Sequence, residues 1–123
     1  MRDKALLIQN GVDVDKGIEL LGDLETYNEM LEDFIEEVEE KMENITSYKV
    51  DSDMENYAIL VHSLKSDAKY FGFDKLAEIA YQHEQESKEG NSIFVNENHE
   101  ELNSEVDRII TLVKKYLFDK VTV

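Results

Sequence analysis

The sequence predicts an all-α protein, an antiparallel four-helix bundle with a short extra helix at its N-terminus. Three observations lead there. Apolar residues recur at helical spacing over most of the 123 residues, and no stretch alternates with the period of a strand. Helix breakers keep to the gaps: proline is absent, and the five glycines, at 11, 17, 22, 72 and 90, fall near breaks in the pattern.

The elements follow in order. The opening MRDKALLIQNGVD has only the short apolar run ALLI before polar residues return, and DVDKGIELLGD reads as a short helix ending at Gly22. From Glu25 to about Thr46, apolar residues at 27, 30, 31, 34, 35, 38, 42 and 45 share one face of a long amphipathic helix. The acids of EDFIEEVEEKMEN cover its other face. Asp51, Ser52 or Asp53 can cap the next helix, which carries Tyr57, Leu60, Val61, Leu64, Ala68 and Phe71 inward and stops at Gly72, suited to a left-handed C-terminal position. Asp74 starts a further helix with Leu76, Ile79, Ala80 and His83 on its apolar stripe, fading in ESKEGNS. A loop containing Ile93, Phe94 and Val95 precedes the last helix, marked by Leu102, Val106, Ile109, Ile110, Val113, Tyr116 and Leu117. Four substantial amphipathic helices with short connections pack most simply as an antiparallel bundle, the N-terminal helix folded over one end.

A chain of this length makes one domain, residues 1–123, with one core. Its formal charge of −16 repels polyanions, so nucleic acid and anionic membranes are excluded as expected partners. No cysteine is present, which removes disulfides, thiol nucleophiles and zinc-thiolate sites. No apolar run approaches a membrane span, and the expected location is the cytoplasm. The negative charge is uneven. Between Asp13 and Glu55 there are 16 acids against Lys16, Lys41 and Lys49, whereas from His62 to Ala77 Lys65, Lys69 and Lys75 outnumber Asp67 and Asp74. An anionic group is best tolerated on this mild island.

On a helical wheel centred on His62, Leu60, Leu64 and Phe71 lie at about 160° to 200°, so the histidine points away from the core. Glu55, Ala58, Lys65, Ser66 and Lys69 share its side, with Ile59 about 60° away on the other flank. An exposed isoleucine beside a solvent-facing histidine and two lysines has the character of a docking surface. An exposed imidazole is a good neutral nucleophile near pH 7 and can carry a phosphoryl group on one ring nitrogen while a hydrogen bond to the other holds the ring. Lysines one and two helical turns on are placed to attract phosphoryl oxygens.

The stretch HSLKSDAKYFGFDKLAEIAYQHE, from His62 to Glu84, resembles the motif of the histidine phosphotransfer (HPt) domain: histidine, a hydrophobic residue at +2, lysine at +3, glycine at +10, leucine at +14 and an acid or amide at +22. His62, Leu64, Lys65, Gly72, Leu76 and Glu84 fill these places. The upstream NGVDVDKGIELLGDLETYNEMLEDFIEE resembles the family's opening, a short helix leading into the first long one. The resemblance implies a relay in which His62 accepts a phosphoryl group from a response-regulator receiver aspartate or a histidine kinase and passes it to another receiver. It further implies that Lys65 steadies the phosphate, that Glu84 bonds the imidazole nitrogen that stays unphosphorylated, and that Gly72 allows a tight turn. The domain itself needs no cofactor or metal and has no intrinsic kinase or hydrolase activity; magnesium belongs to the partner receiver. Ala58, Ile59, Ser66 and Lys69 form the expected docking surface. The family usually has glycine at +4 and small residues at +5 and +7, where this chain has Ser66, Asp67 and Lys69. Lys69 either obstructs a receiver or supplies a second cation.

Plainer readings compete. His83 fits a packed or boundary position and His99 a solvated one; Lys65 and Lys69 fit ordinary surface lysines, and Glu84 an ordinary solvated acid. Asp67 fits a half-buried, paired residue whose partner the sequence does not show. No pair of Glu-x-x-His signatures supports a di-metal site, and no glycine-rich phosphate loop or nucleophile elbow is present. The alternative to phosphotransfer is a non-catalytic interaction module of the same fold, which binds a receiver or helical partner without accepting phosphate. In that case Ile59 matters and His62 does not.

Overall fold

Aspartate side chains set where the chain turns helical. Asp3, Asp13, Asp23 and Asp53 each accept a bond from a backbone N–H in the first turn of the helix that follows, filling donors that helix geometry leaves open. In the computed structural model, which describes residues 2–118, the helices are α1 (Lys4–Gln9), α2 (Val14–Leu21), α3 (Leu24–Val50), α4 (Met54–Phe71), α5 (Asp74–Lys88) and α6 (Ser92–Phe118). The four long helices are joined by two or three residues each and therefore run antiparallel to their neighbours. They pack as a ring: α3 touches α4 and α6, and α5 touches α4 and α6, with α4 and α5 sharing the most extensive contact. The predicted bundle is present.

Three boundaries differ from the sequence reading. Two short helices, not one, precede the bundle. The ALLI run is the extra one, α1, too short to display a period but anchored by fully buried Leu7. α3 continues four residues past Thr46 because Tyr48 still packs against the core. Ile93, Phe94 and Val95 lie in the first turn of α6 rather than in a loop, begun by Asn91, whose Oδ1 accepts from the Phe94 N–H at 3.1 Å. Val95 is fully buried.

That last difference and the position of His99 have one cause. His99 is buried, 6% exposed, rather than solvated. Counted as a core residue, it completes a stripe of Val95, His99, Leu102, Val106, Ile109 and Val113 that runs unbroken from the start of α6. His83 is buried as well. The two histidines form a polar node to which every long helix contributes one member. The Tyr57 hydroxyl lies 2.9 Å from His83 Nδ1 and 3.4 Å from His99 Nδ1, and His99 Nε2 lies 3.2 Å from Thr46 Oγ1. A tyrosine hydroxyl offers one proton, so it donates to one ring and accepts from the other; both rings fit as neutral species. Burial holds both below the ordinary imidazole value; for His83, with His99 alongside, the result is about 4.

The opposite end of the bundle is apolar and aromatic. Tyr27, Phe34, Phe71 and Phe73 meet with ring centres 5.4 to 5.8 Å apart, and the Tyr27 hydroxyl donates to the Phe71 carbonyl at 2.7 Å. Above them, α2 packs on α3 and α4 beside the turn between α4 and α5, and α1 rests on α6. The Asp13 N–H donates to the Gly72 carbonyl at 2.9 Å, and Arg108 Nη1 donates to the Asn10 carbonyl at 3.1 Å. Gly72 has φ +80°, the left-handed position the sequence assigns it. It also carries a second constraint, since a Cβ there would sit 2.1 Å from the Asp13 carbonyl oxygen.

Two outcomes test this account. Gly72→Ala adds a left-handed penalty to a backbone clash and is expected to cost about 3 kcal/mol or more in urea denaturation; a loss below about 1 kcal/mol would show that the Asp13 segment is free to move aside. His83, ordinarily 6.5 and about 4 when folded, binds its proton more readily in the unfolded chain. Its contribution is complete above about 6.5 and is lost as pH falls toward 4, so stability should drop by about 2 kcal/mol between pH 7 and 5. His83→Gln should remove most of that slope, and an unchanged slope would refute the assignment.

Candidate functional site

The intimate packing of α4 on α5 produces the site. His62 stands on the outer side of α4 with its side chain 57% exposed, while Glu84 of α5 faces it with a side chain only 1% exposed. Glu84 is thus far from a solvated surface acid. His62 Nδ1 lies 2.7 Å from Glu84 Oε2, Lys65 Nζ lies 2.5 Å from Oε1, and Lys88 Nζ, one turn along α5, lies 2.9 Å from Oε2. Burial pushes the Glu84 carboxyl upward, but the hydrogen bonds from Lys65, Lys88 and His62 outweigh it and hold the group at about 2. A carboxylate ionised at neutral pH only accepts, so the proton between it and His62 belongs to Nδ1. The lone pair of neutral His62 is then on Nε2, turned away from Glu84. One buried charge therefore selects both the tautomer and the orientation of an exposed ring.

His62 also borders an open groove of about 660 Å³, lined by Met54, Glu55, Ala58, Ile59, His62, Glu84, Ser87, Lys88 and Gly90. Ile59 is 60% exposed on its rim. Ala58, expected on the outward face, is instead buried at 5% on the groove's floor, because the flank of α4 that carries Ala58 and Lys65 is the one α5 covers. Lys65 is likewise no free surface lysine. Its side chain is 13% exposed, with Nζ 5.5 Å from the centre of the Tyr81 ring. Ser66 is half-buried, and Lys69 is exposed without an ion pair among the described residues. Asp67 is drawn to the opposite side of α4 by Lys41 of α3, whose Nζ bonds both Asp67 Oδ2 and Ser63 Oγ at 2.8 Å. Leu64 and Leu76 are fully buried, fixing α4 and α5 from inside.

Sequence reasoning did not identify Lys88. Its only signal was the i, i+4 spacing from Glu84, which acquires meaning only once Glu84 is known to be buried.

Residues 29–111 match the family model of the Hpt domain. The chain belongs to this family. The match runs from within α3 to within α6, takes in all of α4 and α5 and contains His62, Lys65 and Glu84, while α1 and α2 lie outside it. Membership of the Hpt family connects the chain with histidine phosphotransfer in two-component signalling, in which such domains interact with receiver domains and kinases. Neither the curated proteins nor the solved structures searched contain a match. Among the described residues, no helix is long and apolar enough to cross a membrane, and no group of three His, Asp or Glu side chains is placed to hold a metal ion.

The tautomer assignment is directly measurable. Nitrogen-15 correlation spectra at pH 8 should show His62 protonated on Nδ1, and Glu84→Ala should shift it toward the Nε2–H form that free imidazole side chains favour. A His62 spectrum unaffected by the substitution would remove Glu84 from this role.

Proposed function

We propose that this Hpt domain relays a phosphoryl group through Nε2 of His62, accepting it from a receiver-domain aspartate or a histidine kinase and delivering it to another receiver. The observation that carries this reading is the pairing of an outward imidazole with a buried, ionised Glu84. Transfer begins when the Nε2 lone pair attacks the phosphorus of an aspartyl phosphate, and the acyl P–O bond breaks with its electron pair leaving on the aspartate. Nδ1 keeps its proton throughout, and Glu84 accommodates the positive charge that develops on the ring. No general base is needed. Reversal of the same step returns the group to an acceptor aspartate, with the receiver supplying the magnesium ion.

Docking is proposed at the face around His62, where Ile59 offers an apolar contact and the lysines offset the acidity of the rest of the molecule. The nine acids of α3 are carried by another element of the bundle. Ser66 and Lys69 lie on the approach to His62 and are proposed to discriminate among receivers rather than to act in the chemistry.

The test is incubation with a phosphorylated receiver and magnesium, followed by intact mass and acid treatment. The native protein should gain an acid-labile phosphoryl group. His62→Gln should gain none while its stability stays within about 1 kcal/mol of native, since the lost hydrogen bond involves a half-exposed side chain. Native protein that binds receivers but stays unlabelled would establish the interaction module instead.

A further inference from the structure

Two lysines hold Glu84, and they are not equivalent. Lys65 is the sole partner of Oε1; its stem is covered and its ammonium lies beside the Tyr81 ring. Lys88 shares Oε2 with His62 Nδ1, its side chain is 57% exposed, and it lines the groove that His62 borders, which Lys65 does not. Withdrawing Lys65 would leave a buried carboxylate oxygen without a donor. Withdrawing Lys88 would not, because His62 still serves Oε2.

We propose that Lys88 is the side chain that binds the phosphoryl group on His62, and that Lys65 is a positioning residue that holds Glu84 in place. This inference rests on the phosphotransfer proposed above and departs from the division of labour expected from sequence, in which Lys65 steadies the phosphate.

Charge supports the exchange. Before transfer, the cluster of Glu84, Lys65, Lys88 and neutral His62 carries one surplus positive charge. When Nε2 bonds phosphorus, the ring retains the Nδ1 proton and becomes cationic, and the phosphoryl group brings two negative charges. The loaded cluster is then neutral with Lys88 on the phosphoryl oxygens, Lys65 on Oε1 and the ring N–H on Oε2. Glu55, the other acid on the groove wall, gives the incoming anion a further need for a nearby cation. Lys88 bound to those oxygens opposes the charge redistribution of a loose transition state, in which negative charge leaves them, and so prolongs the phosphorylated state.

Phosphoramidate, a small phosphoryl donor that needs no partner protein, separates the possibilities. Loading at His62 and spontaneous loss would be followed by phosphorus-31 NMR and intact mass in the native protein, Lys88→Gln, Lys88→Arg, Lys65→Gln and Lys114→Gln. Lys114 pairs with Glu39 of α3, away from the site, and controls for removal of one positive charge. Lys88→Gln is expected to shorten the half-life of the phosphohistidine about threefold or more, Lys88→Arg to restore it to within about twofold, and Lys114→Gln to behave as native. Lys65→Gln should slow loading and shift His62 away from the Nδ1–H tautomer. On loading, the Lys88 ammonium signal should move in lysine-selective spectra. If Lys88→Gln loses phosphate at the native rate, or Lys65→Gln shortens the half-life more, the assignment is overturned while the relay stands. If the native protein takes up no phosphoryl group at His62, the relay itself fails.

Discussion

A carboxylate kept ionised inside a helix interface organises this molecule's functional face. Glu84 is almost wholly removed from water, and an unpaired charge so placed would be strongly destabilising. It is tolerated because three donors converge on it, from two helices. That requirement fixes more than a salt bridge. It draws Lys65 under cover and holds an exposed imidazole with its Nδ1–H turned inward. A surface histidine usually samples many orientations; here the freedom has been removed from beneath, leaving the outer nitrogen open to a partner.

The core behind the site is polarised along the bundle axis. At one end four aromatic rings and the paired turns of α4 and α5 close around Gly72; at the other, Tyr57 gathers His83 and His99, and His99 reaches Thr46, so that all four long helices meet. A hydroxyl with one proton and two imidazole neighbours admits a limited set of bonding patterns, so the polar node specifies which helices meet in a way that interchangeable apolar contacts do not. His83 and Glu84 are consecutive on α5, one facing this node and the other His62. Adjacent positions of α5 thus serve two different polar assemblies.

Much of this was legible in the sequence, for reasons that also mark where legibility stopped. The four long helices declare themselves because each buries a stripe wide enough to set a period, and His62 stands out because it lies opposite that stripe. The combined spacing from His62 to Glu84 carried the family resemblance. Helix α1 escaped because six residues cannot display a period. The first turn of α6 escapes because a solvated His99 interrupts a stripe that is continuous once the ring is buried. Ala58 and Lys88 went astray for a tertiary reason. A wheel drawn on one helix separates core from solvent but does not know where a neighbour's shoulder falls, and both residues take their meaning from the line along which α4 meets α5.

The seam between the N-terminal segment and the rest bears on how the chain is built. Asp13 rests on Gly72, and Asn10 is held by Arg108, so the N-terminal segment finds its seat on residues far away in sequence. α2 packs against α3 and α4 and α1 against α6, so that seat is complete only when elements distant in sequence have come together. Both helices lie outside the span matched by the family model, which is also the span that holds His62, Lys65, Glu84 and Lys88. They form a clasp across one end of the bundle: through α1 and α2 the N-terminal segment ties α6 to α3 and α4.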